Sequence, residues 1–87
     1  MATVFIPAQL RSLTYGADHV EAAGASLREV VAALDAAHPG IAARLQQGDS
    51  LAPGLAVSID GVFTNRGLAA KVGPASEIHF LPAIGGG

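Results

Sequence analysis

Apolar and polar positions alternate in short runs at both ends of the chain and adopt a helical period once, near the middle. Thr3-Val4-Phe5-Ile6 is β-branched or aromatic throughout and closes on Pro7, which has no amide to give a central ladder, so a first strand is predicted over about residues 2–7. After Tyr15-Gly16, the run Asp18-His19-Val20-Glu21-Ala22 alternates polar with apolar. It predicts a second, half-exposed strand in hairpin pairing with the first.

Ser26-Leu27-Arg28-Glu29 has the spacing of a capping box, in which the serine oxygen accepts the amide three residues on and the glutamate returns to the cap amide. A helix therefore begins at Leu27. Leu27, Val30, Val31 and Leu34 form one apolar stripe, with Arg28, Glu29 and Asp35 off it, and Pro39-Gly40 ends the helix. Ile41 and Leu45 then share the face of a short helical turn, and Gln46 to Gly54 is predicted as a polar surface loop.

Leu55-Ala56-Val57-Ser58-Ile59, Asp60-Gly61 and Val62-Phe63-Thr64 make a hairpin, because Asp-Gly accepts the positive φ of a two-residue turn. That turn sets Ile59 opposite Val62 and Val57 opposite Thr64, leaving Phe63 on the other face with Ser58. Glu77-Ile78-His79-Phe80-Leu81 alternates again, with Ile78 and Phe80 inward, and is the last strand. The economical packing of this order is an α+β domain over residues 1–81, in which one main helix covers one face of a mixed sheet of four to five strands. Residues 82–87 follow as a flexible tail.

Length and composition narrow the function. An 87-residue chain makes one small domain without an interdomain cleft, and 51% apolar residues supply an aliphatic core. The absence of cysteine removes disulfides, thiolate ligands and a cysteine nucleophile. Arg11, Arg28, Arg44, Arg66 and Lys71 are scattered and outnumbered by seven acids, so no basic stripe serves a nucleic acid. The N-terminal run is too short and lacks the basic start of a signal peptide, and no apolar stretch is long enough for a bilayer. A cytoplasmic location is expected.

Leu81-Pro82-Ala83-Ile84-Gly85-Gly86-Gly87 carries the candidate chemistry. Three terminal glycines have no Cβ, so they can pass through a channel that rejects side chains and present a carboxylate at its end. From the residues alone the segment is either such a thread or a frayed terminus. Phe5, Phe63 and Leu81 alternate against their inward neighbours and fall on the face opposite the helix. They form either a docking patch or a group covered by loops or core. His19, His38 and His79 sit in different elements with no thiolate, which argues against a metal site, and His38 suits the negative end of a helix. Ser58, Asp60 and His79 lack a nucleophile elbow and read as strand and turn residues.

The element order, the size and the ending Phe80-Leu81-Pro82-Ala83-Ile84-Gly85-Gly86-Gly87 resemble the ubiquitin-like β-grasp sulfur carriers, a family that includes the molybdopterin synthase small subunit and the thiamine sulfur carrier. Val4-Phe5-Ile6-Pro7 with Leu10-Arg11, Thr14-Tyr15-Gly16, and Gly40-Ile41 with Arg44-Leu45 look most like the actinobacterial carriers of cysteine biosynthesis. The resemblance implies a carrier with no cofactor of its own. An ATP-dependent, E1-like activating enzyme would adenylate Gly87, sulfur transfer would make a thiocarboxylate, and an acceptor enzyme would take the sulfur. Gly86 and Gly87 map to the family's diglycine. Gly85 departs from the pattern, which usually has a side chain there, and leaves a one-residue register shift open. The resemblance also admits a molybdopterin synthase small subunit or a ubiquitin-like protein modifier; with Lys71 as the sole lysine, extended self-linked chains are poorly supported.

Overall fold

The computed structural model describes residues 1–82. The β-branched N-terminal run forms β1 (Ala2–Phe5), followed by β2 (His19–Ala22), helix α1 (Leu27–Ala37) and the short helix α2 (Ile41–Leu45). Then come β3 (Gln46–Gln47), β4 (Ser50–Leu51), β5 (Leu55–Ile59), β6 (Val62–Phe63) and β7 (Glu77–Pro82). Five strands make the main sheet in the order β2-β1-β7-β5-β6. β1 runs parallel to β7, and the other pairs in that sheet are antiparallel. This is the mixed sheet that the element order predicts, in the β-grasp arrangement that the resemblance implies.

Inward positions of the central strands, Val4, Val57, Ile78 and Phe80, meet Leu27, Val30, Val31 and Leu34 of α1, all buried. The stripe at helical spacing is thus the sheet's cover. Ile41 and Leu45 of α2 and Leu68 of a 3-10 turn at Gly67–Ala69 close the remaining side of the core. A large aliphatic side chain buried in this way contributes about 1.5–3 kcal/mol, which lets a domain without disulfides fold.

The capping box forms with one change. Ser26 Oγ accepts from Glu29 N at 3.3 Å, but the Glu29 carboxylate reaches the amide of Ala25, at 3.0 Å, rather than that of the cap residue. Ala25 to Leu27 lie along Ala70 to Val72, where Leu27 N donates to Ala70 O and Val72 N to Ala25 O. The helix start is thereby pinned to a distant segment.

Several boundaries differ from the pattern. The first strand stops at Phe5 instead of reaching Pro7, because residues 8–14 coil into 3-10 turns that return the chain toward β2. Ile6 N still bonds Asp18 O at 2.8 Å. The stretch expected as a loop from Gln46 to Gly54 contains β3 and β4, folded about Gly48 at φ 61°. Polar residues conceal this pair, since its stability comes from Leu45 and Leu51 against the core and not from alternation.

His38 is the C-cap of α1, donating its amide to Leu34 O at 2.7 Å, as a residue at that helix end should. Its ring lies 6.1 Å from that of Tyr15. Tyr15 itself is exposed and left-handed at φ 56°.

Candidate functional site

The tail of interest is delivered by β7, whose residues Ile78 and Phe80 are anchored in the core while Glu77, His79 and Leu81 face outward. Leu55 opposes Pro82 at the strand's end, so backbone pairing with β5 holds the chain up to the point where the tail begins. Gly85, Gly86 and Gly87 lie outside the described residues.

Cross-strand pairing builds one continuous row over the face away from α1. His19 opposes Phe5, Phe5 opposes His79, His79 opposes Ser58, and Ser58 opposes Phe63. Phe5 packs between two imidazoles, with ring centroids 4.2 Å from His79 and 5.8 Å from His19. The Phe63 ring, 64% exposed, stands at the sheet edge, and Leu81, 39% exposed, sits one pleat beyond His79 toward the tail. Phe5, Phe63 and Leu81 therefore share a face, as the alternation implies. Phe63 is nevertheless set apart from Phe5 by His79 and buried Ser58.

Charge is distributed unevenly across this face. Glu21 and Glu77 flank Thr3 at the end remote from the tail. Near the tail is a groove of about 280 Å³ whose lining includes Phe5, Pro7, Gln9, Arg11, His79 and Leu81. Arg11 is fixed there by a 3.1 Å bond from Nε to Ile6 O, and its terminal nitrogens have no hydrogen-bond partner among the described residues. Along β7 the outer surface thus passes from acid through imidazole to aliphatic, with a cation beside the exit.

The alternation puts His79 on the outward side of its strand, but that His79, His19 and Arg11 surround Phe5 escaped the sequence reading. The missing signal was the parallel pairing of β1 with β7, which brings residues 5 and 79 together. His19 Nδ1 lies 2.7 Å from Asp18 Oδ1, and this hydrogen bond is the chief cause holding the Asp18 carboxyl below its ordinary pKa. No cluster of three or more metal-ligating side chains occurs among the described residues.

Ser58 and His79 are neighbours, yet Asp60 does not join them. Its Oδ1 accepts Glu77 N at 2.9 Å and its Oδ2 accepts the Ser76 hydroxyl at 2.8 Å. The Glu77 amide first, and then Ser76, depress the Asp60 pKa. Asp60 is a structural clasp between the hairpin turn and the start of β7, so this trio forms no hydrolytic relay.

Residues 4–87 match the ThiS family, a match that runs through the tail to Gly87. The chain belongs to the ThiS family. It is 35% identical to the sulfur carrier protein CysO of Mycobacterium tuberculosis, covering 98% of this chain and 97% of that protein. A chain in the crystal structure of the Amycolatopsis orientalis BexX/CysO complex superposes with a TM-score of 0.91 at 35% identity, covering 100% of both chains. The crystal structure of M. tuberculosis CysO gives 0.88 at 30% identity, covering 97% of this chain and 100% of that one. The small archaeal modifier protein 1 of Methanosarcina acetivorans, at 23% identity and a TM-score of 0.75 over 99% of this chain and 95% of that one, shares the fold. No helix among the described residues is long and apolar enough to cross a membrane.

Proposed function

We propose that this ThiS-family chain is a sulfur carrier of cysteine biosynthesis or a related sulfur-inserting pathway, loaded at the carboxylate of Gly87. The observation that carries the reading is a family match extending to Gly87 itself, at the end of a tail launched from a core-anchored strand. The whole-length likeness to a sulfur carrier protein supports the same pathway.

A carboxylate is anionic and has no good leaving group, so direct attack by a sulfur nucleophile does not proceed. An activating enzyme removes that obstacle. The Gly87 carboxylate oxygen attacks the α-phosphorus of ATP, pyrophosphate departs, and an acyl-adenylate forms. Hydrosulfide then adds to the carbonyl carbon as the bond to AMP breaks, leaving a thiocarboxylate whose sulfur is itself a nucleophile for the acceptor. ATP and catalysis belong to the partners; the chain supplies the activated end. Gly85 and Gly86 let that end pass through a narrow channel.

The face carrying Phe5, Phe63 and Leu81 is the docking surface read by the activating enzyme and, after loading, by the sulfur acceptor. An apolar patch rimmed by Glu21, Glu77 and Arg11 suits that task, because the aromatic and aliphatic groups supply area and the charges fix orientation. A CysO protein has been solved in complex with BexX, so a relative of this chain engages a protein partner.

Intact mass after incubation with ATP, a sulfide source and the cognate activating enzyme tests the proposal. Exchange of one oxygen for sulfur, lost on deletion of Gly86 and Gly87, is the expected result. An unchanged mass beside an enzyme shown to be active on another carrier overturns it.

A further inference from the structure

The hairpin of β5 and β6 leaves a second concavity on the other side of the sheet, away from the Phe5 face. It measures about 460 Å³ and its lining includes Ile59, Val62, Thr64, Arg66, Ala70 and Lys71. Val62 pairs with Ile59 and points to the α1 side, yet it is 70% exposed because β6 lies at the sheet edge, beyond the cover of the helix.

Two of the chain's five basic residues converge on this groove. Neither Arg66 nor Lys71 makes an ion pair among the described residues, whereas Arg28 is bonded to Asp49. The acid of the adjoining turn, Asp60, is already committed to Ser76 and Glu77. In a chain of net charge −2, the groove is a local cationic site with an aliphatic floor.

We infer that this groove is a distal anchor for the activating enzyme, seating a segment in which an aliphatic side chain is flanked by carboxylates. The inference rests on the carrier reading for the identity of the partner. Charge complementarity selects the acid, and exposed Val62 and half-buried Ile59 select the aliphatic group. Continuity selects the partner. Val62 and Phe63 are adjacent on an edge strand and point to opposite faces, so a protein that reads Phe63 reaches Val62 by wrapping around a single strand. The wrapping segment also covers an edge that β6 otherwise leaves open.

The groove lies beside Ile59, which pairs with Ile78, nine positions before Gly87 in the chain. An anchor that does not touch the reacting carboxylate binds the ground state and the transition state equally, so it acts on affinity and not on the chemical step.

The test compares wild type, Arg66→Glu/Lys71→Glu and Arg66→Lys/Lys71→Arg as full chains with the cognate activating enzyme. Kd is measured without ATP at low and high salt, and kcat by ATP–pyrophosphate exchange; circular dichroism melting confirms folding. Charge reversal is expected to weaken Kd about tenfold at low salt and to flatten its salt dependence, with kcat at saturation unchanged. The conservative pair is expected to match wild type. If charge reversal fails to fold, Arg66→Gln/Lys71→Gln takes its place, with a flattened salt dependence again expected. An unchanged Kd and salt slope in folded variants, with wild type active, overturns the anchor alone. No exchange with wild type and a verified enzyme overturns the carrier reading together with the anchor.

Discussion

Phe5 lies 4.2 Å, ring to ring, from His79, two residues that are 74 positions apart in the chain and adjacent in the sheet. Phe5 is half-buried by this contact, whereas Phe63 projects freely from the edge. Phe63→Asp is therefore expected to leave the melting temperature within experimental error while weakening the complex with the activating enzyme. Phe5→Ala is expected to weaken the complex and also to destabilise the fold by about 1–2 kcal/mol, part of the penalty for a fully buried ring. Thermal melts with calorimetric binding separate the two. Unfolding by Phe63→Asp would assign that ring to the core.

Asp60 stabilises the fold in its charged form. Its pKa is lowered in the folded state from the ordinary 3.8, chiefly by the Glu77 amide. Its contribution is hence complete above that unfolded value and is lost as pH falls through the lower folded one. Asp60→Asn keeps an acceptor and tolerates the left-handed φ of 54°. The variant is expected to be less stable than wild type at neutral pH, with the gap closing below about pH 3.8 as Asp60 itself takes up a proton. Urea melts across that range give the answer; a pH-independent gap would remove the ionic part of the clasp.

Gly24 is required by space and by backbone. At φ 158°, a Cβ would stand 2.8 Å from Val30 N and 2.9 Å from Glu29 Cβ, in the first turns of α1. Gly24→Ala must displace the helix start that Ser26 and Glu29 cap, at a cost of about 1–3 kcal/mol. Gly48→Ala meets no atom within 4 Å and suffers only its φ of 61°. It is expected to cost less, about 1 kcal/mol. Denaturant midpoints of the two variants provide the comparison.

Within the tail, Gly85 and Gly86 are expected to differ. The family pattern accommodates a side chain just before the diglycine, so Gly85→Ala should still be adenylated at near wild-type rate. Gly86→Val places a branched side chain in the segment proposed to thread the activating enzyme and should reduce loading at least about a hundredfold, equivalent to roughly 3 kcal/mol. Pyrophosphate exchange with both variants decides the register, and the opposite order would shift the functional pair by one residue.

The features legible in the chain were those fixed by neighbours in sequence. Asp60-Gly61 sets its own hairpin, with Ile59 opposite Val62 and φ values of 54° and 84° at the turn. The α1 stripe and its serine cap were equally local. The pairing of β1 with β7 was not, since alternation says which side of a strand is buried and nothing about which strand lies beside it. That pairing puts His79 and His19 around Phe5. Nor does sequence reveal that Asp35, in the α1 helix, receives the amides of Gly40 and Ala42 at 3.0 and 3.1 Å and so caps the next helix. The third glycine and the outward Phe5, Phe63 and Leu81 were visible as residue types, while the groove beside Arg66 depends on where α1 stops covering the sheet.

The central place of β7 also bears on the order in which the molecule is assembled. Its neighbours β1 and β5 are translated earlier, and each lacks one of its two ladder partners until Glu77 to Pro82 emerges between them. The sheet closes through contacts of high sequence separation, which form late and slowly in folding. A nascent or truncated chain accordingly has neither a completed face for partners nor an anchored exit for the glycines. On the carrier reading proposed above, loading at Gly87 therefore requires that β7 has already taken its place between β1 and β5.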